Sequence, residues 1–301
     1  MAYPTQVKIV EVGARDGLQN ESKVTTEQKI TLLNGLSEAG MVHLEAGAFV
    51  SPKWVPQMAD SAEVIKGLSV ADNAQLSALT PNLKGAQAAL ECGITEFAIF
   101  TAASEAFTQK NINCSIEESI ERFKPVVELA QQHNVKVRGY VSCVVGCPYQ
   151  GEVLPEAVLD VCKQLLALGC YEISLGDTIG VGTPGKVKKL LDLLIKDLPL
   201  DKLAVHFHDT YGQAIANIHT ALEMGISTID SAVAGLGGCP YAQGASGNVA
   251  TEDVIYLLEG LGISTQIDLE RLASAGWAIC DALNKPPVSK VSLALRAKCE
   301  Q

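Results

Sequence analysis

Two histidines one residue apart, His206 and His208, carry the plainest chemistry in this chain. They sit in Leu-Ala-Val-His-Phe-His-Asp-Thr at 203–210. The run reads as a β-strand, in which side chains two apart share a face, so both imidazoles converge on one point. Two neutral ring nitrogens held in this way suit a divalent metal ion. A pair of core histidines satisfied by hydrogen bonds would show the same spacing.

Other polar residues fall at the ends of apolar runs. Glu11-Val-Gly-Ala-Arg-Asp-Gly17 closes the first run and brings out Arg15 and Asp16; an exposed ion pair is the bland reading. Glu45 is a carboxylate in an apolar run, where a charge needs a partner. Asp177 ends a later run, followed by Thr178 and Gly180. From Gly235 to Asn248, five of fourteen residues are glycine, which predicts a sharply turned or mobile loop. That loop carries Cys239 and Asn248, as lids over substrate do, and a cysteine can move a proton if nearby cations lower its pKa. A solvated surface loop is the alternative, and a phosphate cradle is weakly signalled without a following lysine.

The remaining candidates read as structural. His43 shares parity with Glu45 and could hydrogen-bond inside a barrel. His133 and His219 lie in helical contexts and fit surface or packing roles. Cys143 and Cys147 are too few for a closed zinc site, and Cys92, Cys162, Cys170 and Cys280 read as small core residues.

These residues need a frame to hold them. Eight β-rich runs, at 7–13, 42–48, 74–80, 96–102, 136–144, 171–177, 203–209 and 228–234, alternate with helical patterns. Over 115–131, Ser115 and Glu118 form a capping box ahead of an apolar stripe from Ile116 to Ala130, which Pro125 is expected to interrupt or kink. A second helix follows Pro184, and a third starts near Thr251, with Glu252 and Asp253 placed toward its N-terminal dipole. The alternation predicts an α/β protein, a closed (β/α)8 barrel over about 7–262, with appended helices over about 265–301 and one domain throughout. A doubly wound sheet would bring a Gly-x-Gly-x-x-Gly fingerprint, but Pro240 stands where the third glycine belongs. In such barrels the strand C-termini and the following loops carry function, which is where the polar residues collect.

Composition narrows the partners. Of 301 residues, 48% are hydrophobic and 5% aromatic, as tightly packed parallel strands under helices require. A formal charge of −11 disfavours nucleic acid, although an anionic small substrate could meet a local cluster of donors. Nine scattered cysteines do not resemble a secreted disulfide framework. The first strand begins within about seven residues, no apolar run approaches a bilayer span, and no targeting tail is evident, so a soluble, cytoplasmic protein is expected.

With the residues placed, five blocks resemble the 3-hydroxy-3-methylglutaryl-CoA lyases. They are Val-Gly-Ala-Arg-Asp-Gly-Leu-Gln-Asn-Glu (12–21), Ser-Pro-Lys-Trp-Val-Pro-Gln-Met (51–58), Ser-Leu-Gly-Asp-Thr-Ile-Gly (174–180), His-Phe-His-Asp-Thr-Tyr-Gly-Gln (206–213) and the loop 235–248. The likeness runs from residue 7 to about 262. It implies a TIM barrel of the pyruvate carboxyltransferase-like kind that cleaves (S)-3-hydroxy-3-methylglutaryl-CoA to acetyl-CoA and acetoacetate. It implies Mg²⁺ or Mn²⁺, no organic cofactor, an acyl-CoA partner, no nucleic acid or membrane, and a homodimer by analogy. By position, Asp16, His206, His208 and Asn248 would hold the metal, and Arg15 would contact the substrate carbonyl region. Cys239 would be the catalytic cysteine, with Glu45 and Asp177 in support. The acceptor of the hydroxyl proton stays open among Asp16, His206 and Glu45. Ala14 stands where many relatives have proline, and Glu45-Ala-Gly-Ala-Phe replaces a more hydroxyl-rich stretch. Cys299 lies near the position of a cysteine with a redox role in eukaryotic relatives. Isopropylmalate and homocitrate synthases share the Arg-Asp and His-x-His elements but usually carry a further C-terminal domain and lack this cysteine loop. An amidohydrolase-type hydrolase would put His-x-His on the first strand, and a catalytically dead barrel would not keep a full ligand set.

Overall fold

Eight parallel strands close on one another in chain order: β1 (Lys8–Glu11), β2 (His43–Ala48), β3 (Gln75–Leu79), β4 (Glu96–Ala102), β5 (Lys136–Ser142), β6 (Glu172–Asp177), β7 (Leu203–Phe207) and β8 (Thr228–Ser231). The computed structural model describes residues 3–238 and 247–299. Helices α1 (Thr26–Glu38), α2 (Ser61–Lys66) and α3 (Leu83–Glu91) follow the first three strands. After β4 come α4 (Glu105–Ile112) and α5 (Ile116–Gln132), and α6 (Pro155–Leu168), α7 (Pro184–Asp197), α8 (Ala214–Glu223) and α9 (Thr251–Gly260) follow β5 to β8 in turn. The chain continues into α10 (Leu269–Ala282), packed on α1 and α9, and α11 (Lys290–Cys299). This is the expected barrel with its appended helices. Among the described residues, no helix is long and apolar enough to cross a membrane.

The strand alternation sorts side chains into two environments. Phe97, Ile99, Val141, Ile173, Leu175, Val205 and Ile229 pack outward against helix residues such as Leu165, Ile218 and Leu222, all buried. Each such burial contributes roughly 1.5–3 kcal/mol, and together they close the sheet. The opposite parity faces the barrel interior, and there polar groups gather: Lys8, Arg138, Tyr140, Glu172, Ser174, His206 and Asp230 are joined by hydrogen bonds. Barrel interiors usually fill with branched apolar side chains; here a charged layer lies under one mouth of the barrel.

Five strands stop earlier than the sequence pattern suggests: β3 by one residue and β5 by two, at Ser142, and β1, β7 and β8 where the chain turns into the barrel mouth. β1 ends at Glu11, because Gly13–Gly17 winds into a π-type turn. β7 ends at Phe207, and His208 instead makes an isolated antiparallel bridge with Asn248. β8 ends at Ser231, ahead of a turn in which Ala234 takes φ 58°. Apolar residues continue past the ends of β1 and β8, but the backbone leaves the sheet there to build the mouth. The Ser115 capping box is present and α5 begins at Ile116. Pro125 neither breaks nor ends α5. Pro125 and Glu121 are exposed, so water can satisfy the Glu121 carbonyl that loses its amide partner. Glu252 and Asp253 occupy the first turn of α9, yet their carboxylates reach other elements: Glu252 accepts from Ala234 N, and Asp253 accepts from Ser289 and Val291. Cys162, Cys170 and Cys280 are buried as expected, whereas Cys92 is half-buried and Cys299 exposed.

Candidate metal centre

The turn after β1 sets the first half of the site. Val12 O accepts from Arg15 N at 3.1 Å, Asp16 N at 2.8 Å and Gly17 N at 3.2 Å. The last of these is an i to i+5 bond, and such turns recur at functional sites. It pushes Arg15 and Asp16 out of the strand and over the barrel mouth. Gly17 permits this, since a Cβ there would lie 2.7 Å from Leu236 Cβ in the segment after β8. Glu11 anchors both segments, with its Oε1 accepting from Gly13 N at 2.8 Å and Val233 N at 2.9 Å.

Arg15 is held by two carboxylates. Its Nε donates to Glu45 Oε2 at 2.8 Å, its Nη2 lies 2.7 Å from the same oxygen, and its Nη1 donates to Asp16 Oδ1 at 2.7 Å. Glu45 is fully buried on the inward face of β2, so the charge in the apolar run has found its partner. Burial pushes the Glu45 carboxyl up, and Arg15 only partly offsets this. Among the described residues, Glu45 Oε1 has no hydrogen-bond partner.

Asp16 faces the imidazoles with its other oxygen. Oδ2 accepts from Asn248 Nδ2 at 2.9 Å and lies 3.7 Å from His206 Nε2. Burial pushes this carboxyl up, but Arg15, then His206, His208 and Asn248, outweigh it and hold the pKa at about 2. Burial, reinforced by His206, drives His208 down to about 4, so its imidazole is neutral at physiological pH. Burial also lowers His206, but the Asp230 hydrogen bond and Asp16 outweigh it and leave the pKa raised.

Asp16, His206 and His208 each offer a ligand atom within 4.8 Å of the others. Among the described residues this is the one His, Cys and acid cluster with that geometry. The donors fit a divalent ion: an ionised carboxylate, a neutral imidazole and a second imidazole, with His208 Nδ1 buried and without a hydrogen-bond partner among the described residues. Asn248 stands beside them. The His208–Asn248 bridge and the Asp209 N to Gly247 O bond of 2.7 Å clamp it against the end of β7.

Not every expected residue joins this cluster. Asp177 turns away from it: its carboxylate accepts from Val181 N at 3.1 Å and Gly182 N at 2.7 Å, shaping the loop after β6. Burial, only partly offset by those amides, raises it to about 6. His43 opens β2 at the other end of the barrel, where burial and then Lys8 lower it to about 4. His219 pairs with the Tyr3 hydroxyl at 2.9 Å, a packing role. Cys239 lies outside the described residues, as does most of the loop it belongs to. Sequence reasoning passed over Arg138, Tyr140 and Asp230, which lie directly under the cluster. The signal that picked out Glu45, a charge on the inward parity of an apolar strand, was present at Arg138 and Asp230 too.

Known proteins resemble this chain over nearly its whole length. The HMGL-like family matches residues 6–279. The mitochondrial hydroxymethylglutaryl-CoA lyase of Bos taurus is 60% identical over 293 residues, 97% of this chain and 90% of that protein. A crystal structure of hydroxymethylglutaryl-CoA lyase from Pseudomonas aeruginosa superposes with a TM-score of 0.97 at 57% identity, covering 99% of this chain and 100% of that one. An HMG-CoA lyase from Acenitobacter baumannii, solved in complex with coenzyme A and 3-methylmalate, gives a TM-score of 0.91 at 36% identity, over 98% of this chain and 96% of that one.

Proposed function

The chain belongs to the HMGL-like family, and from that premise we propose that it is a hydroxymethylglutaryl-CoA lyase, cleaving (S)-3-hydroxy-3-methylglutaryl-CoA to acetyl-CoA and acetoacetate. The observation that carries this reading is the convergence of Asp16, His206 and His208 beside a buried, doubly anchored Arg15. We assign Asp16, His206, His208 and Asn248 as the residues that hold Mg²⁺ or Mn²⁺; nitrogen and oxygen donors without a thiolate suit those ions. When bound, the cation supplies charge stabilisation for the substrate hydroxyl as it gives up its proton.

The carbon–carbon bond breaks as the tertiary alkoxide collapses to a ketone and the bonding electrons pass to the thioester enolate. Arg15 binds the developing enolate oxygen. Three of its five N–H donors are committed to Glu45 and Asp16, which leaves one on each terminal nitrogen for substrate. Because Glu45 and Asp16 fix the guanidinium before substrate arrives, no reorganisation is needed as charge develops. Asp16, held at about 2, is too weak a base to compete for the hydroxyl proton. We assign the proton to Glu45 Oε1, which has no hydrogen-bond partner among the described residues, because His206 has Nδ1 turned to Asp230 and Nε2 toward Asp16 and the cation site. We assign protonation of the enolate carbon to Cys239, and to Asp177 the shaping of the loop after β6 that borders the site.

We read residues 1–301 as one functional unit. We place it in the cytoplasm, since the eight described cysteines are free thiols, and cell fractionation checks this. The deciding experiment for function incubates the purified chain with 3-hydroxy-3-methylglutaryl-CoA, with and without Mg²⁺ or Mn²⁺, and measures acetoacetate. Cation-dependent acetoacetate is expected. None formed, or condensation of acetyl-CoA with a 2-oxo acid in its place, overturns the reading.

A further inference from the structure

Under the metal centre the barrel interior holds a chain of alternating charges that the reaction does not touch. Asp230, on β8 and almost wholly buried, is its centre. Its Oδ1 accepts from Arg138 Nη2 at 2.7 Å. Its Oδ2 accepts from Arg138 Nη1 at 3.0 Å and Ser174 Oγ at 2.7 Å, and meets His206 Nδ1 at 3.2 Å. Arg138 continues the chain downward: its Nε donates to Glu172 Oε1 at 2.7 Å, and Lys8 Nζ donates to Glu172 Oε2 at 2.6 Å. The β7–β8 register pairs His206 with Asp230, so the contact is built into the sheet.

We propose that Asp230 is a positioning residue that fixes His206 as the tautomer protonated on Nδ1, leaving the Nε2 lone pair directed at Asp16 and the metal. A neutral imidazole carries one proton, and the hydrogen bond made by one nitrogen decides what the other can offer. A carboxylate can only accept, so a neutral His206 beside it must donate from Nδ1. The bidentate Arg138 fork keeps Asp230 ionised and therefore accepting. The three donors from Arg138 and Ser174 already satisfy Asp230 as a structural ion pair; the fourth contact, to His206, joins that pair to the site. Asn at this position would break the arrangement, because one face of its amide is a donor. Turned toward Arg138, that donor meets donors; turned toward His206, it selects the tautomer with Nδ1 bare and Nε2 protonated, which cannot bind a cation.

This rests on the metal reading above, and the test separates the two. Metal-free wild type and Asp230→Asn are titrated with Mn²⁺ by calorimetry. The His206 tautomer is read by long-range ¹H–¹⁵N correlation on the metal-free wild type at alkaline pH, with assignment from His206→Gln. Wild type is expected to bind Mn²⁺ and to show the Nδ1-protonated ring. Asp230→Asn is expected to raise the Mn²⁺ dissociation constant by about 10- to 100-fold, with an unchanged far-UV spectrum. Mn²⁺ binding within about twofold of wild type in a folded Asp230→Asn protein, which a merely structural role allows and tautomer control does not, overturns the proposal. If that variant does not fold, the wild-type tautomer decides alone, and an Nε2-protonated ring overturns it. A wild type that binds no Mn²⁺ removes the metal reading and this proposal together.

Discussion

Arg15→Gln gives the sharpest separation between binding the metal and doing the chemistry. Wild-type Arg15 is 6% exposed and anchored on three of its donors, so the N–H groups left for substrate are fixed in place before charge develops. Losing preorganised donors of this kind typically costs about 3–4 kcal/mol at the transition state, or about 10²- to 10³-fold in kcat. Metal binding responds differently. Arg15 helps hold Asp16 at about 2, but an Asp16 carboxyl released toward its ordinary 3.8 is still ionised at neutral pH. The variant also removes a positive charge near the cation, so Mn²⁺ affinity should hold or tighten. Stability is a third, separable effect, because the substitution strips the buried Glu45 of its cation. Breaking such a pair costs about 3–5 kcal/mol unless the stranded group takes up a proton. Glu45, already pushed up by burial, can do so. The double variant Arg15→Gln with Glu45→Gln should therefore recover part of the lost melting temperature while turnover stays low. The assays are steady-state acetoacetate production, Mn²⁺ calorimetry and thermal unfolding. Turnover within about threefold of wild type, where donor loss predicts at least a hundredfold, or a fall that simply follows lost metal, would refute the role given to Arg15.

Three further outcomes follow from particular contacts. His208→Ala should weaken Mn²⁺ binding by more than about a hundredfold and abolish acetoacetate formation in parallel; metal content unchanged after dialysis would remove His208 from the ligand set. Burial raises Glu11 to about 7 and Glu252 to about 8 from an ordinary 4.5, so the folded chain retains protons that the unfolded chain has released. Stability should therefore fall as pH rises from about 5 to about 8, and Glu252→Gln should flatten that decline by up to about 1.4 kcal/mol per pH unit, read by urea unfolding at several pH values. Gly17→Ala would set a methyl 2.7 Å from Leu236 Cβ, so a loss of about 1–3 kcal/mol in stability is expected, with weaker Mn²⁺ binding as Asp16 shifts.

Much of this molecule was legible along the chain. The apolar alternation in eight short runs, the helical stripes between them and the Ser115 capping box depend on residues within a few positions of one another, and all appear in the fold. The His-x-His spacing and the Arg-Asp pair were equally local, because a strand's two-residue repeat and one tight turn fix where those side chains point. Strand ends were less legible: Val233 and Ala234 keep the apolar pattern, yet the backbone there turns to meet Glu11 and Glu252.

Partnership lay beyond the sequence. Glu45, Asp177, Asp230 and Glu252 are all acids placed in or beside strands. Yet one anchors Arg15, one shapes the loop after β6, one backs His206, and one holds the turn after β8. What a buried carboxylate binds depends on which residues the closed sheet brings beside it, and those come from strands far apart in the chain. Spacing set the chemistry each residue could offer; the register of the barrel decided to which neighbour it was offered, because a buried charge must pair with whatever donor lies within reach.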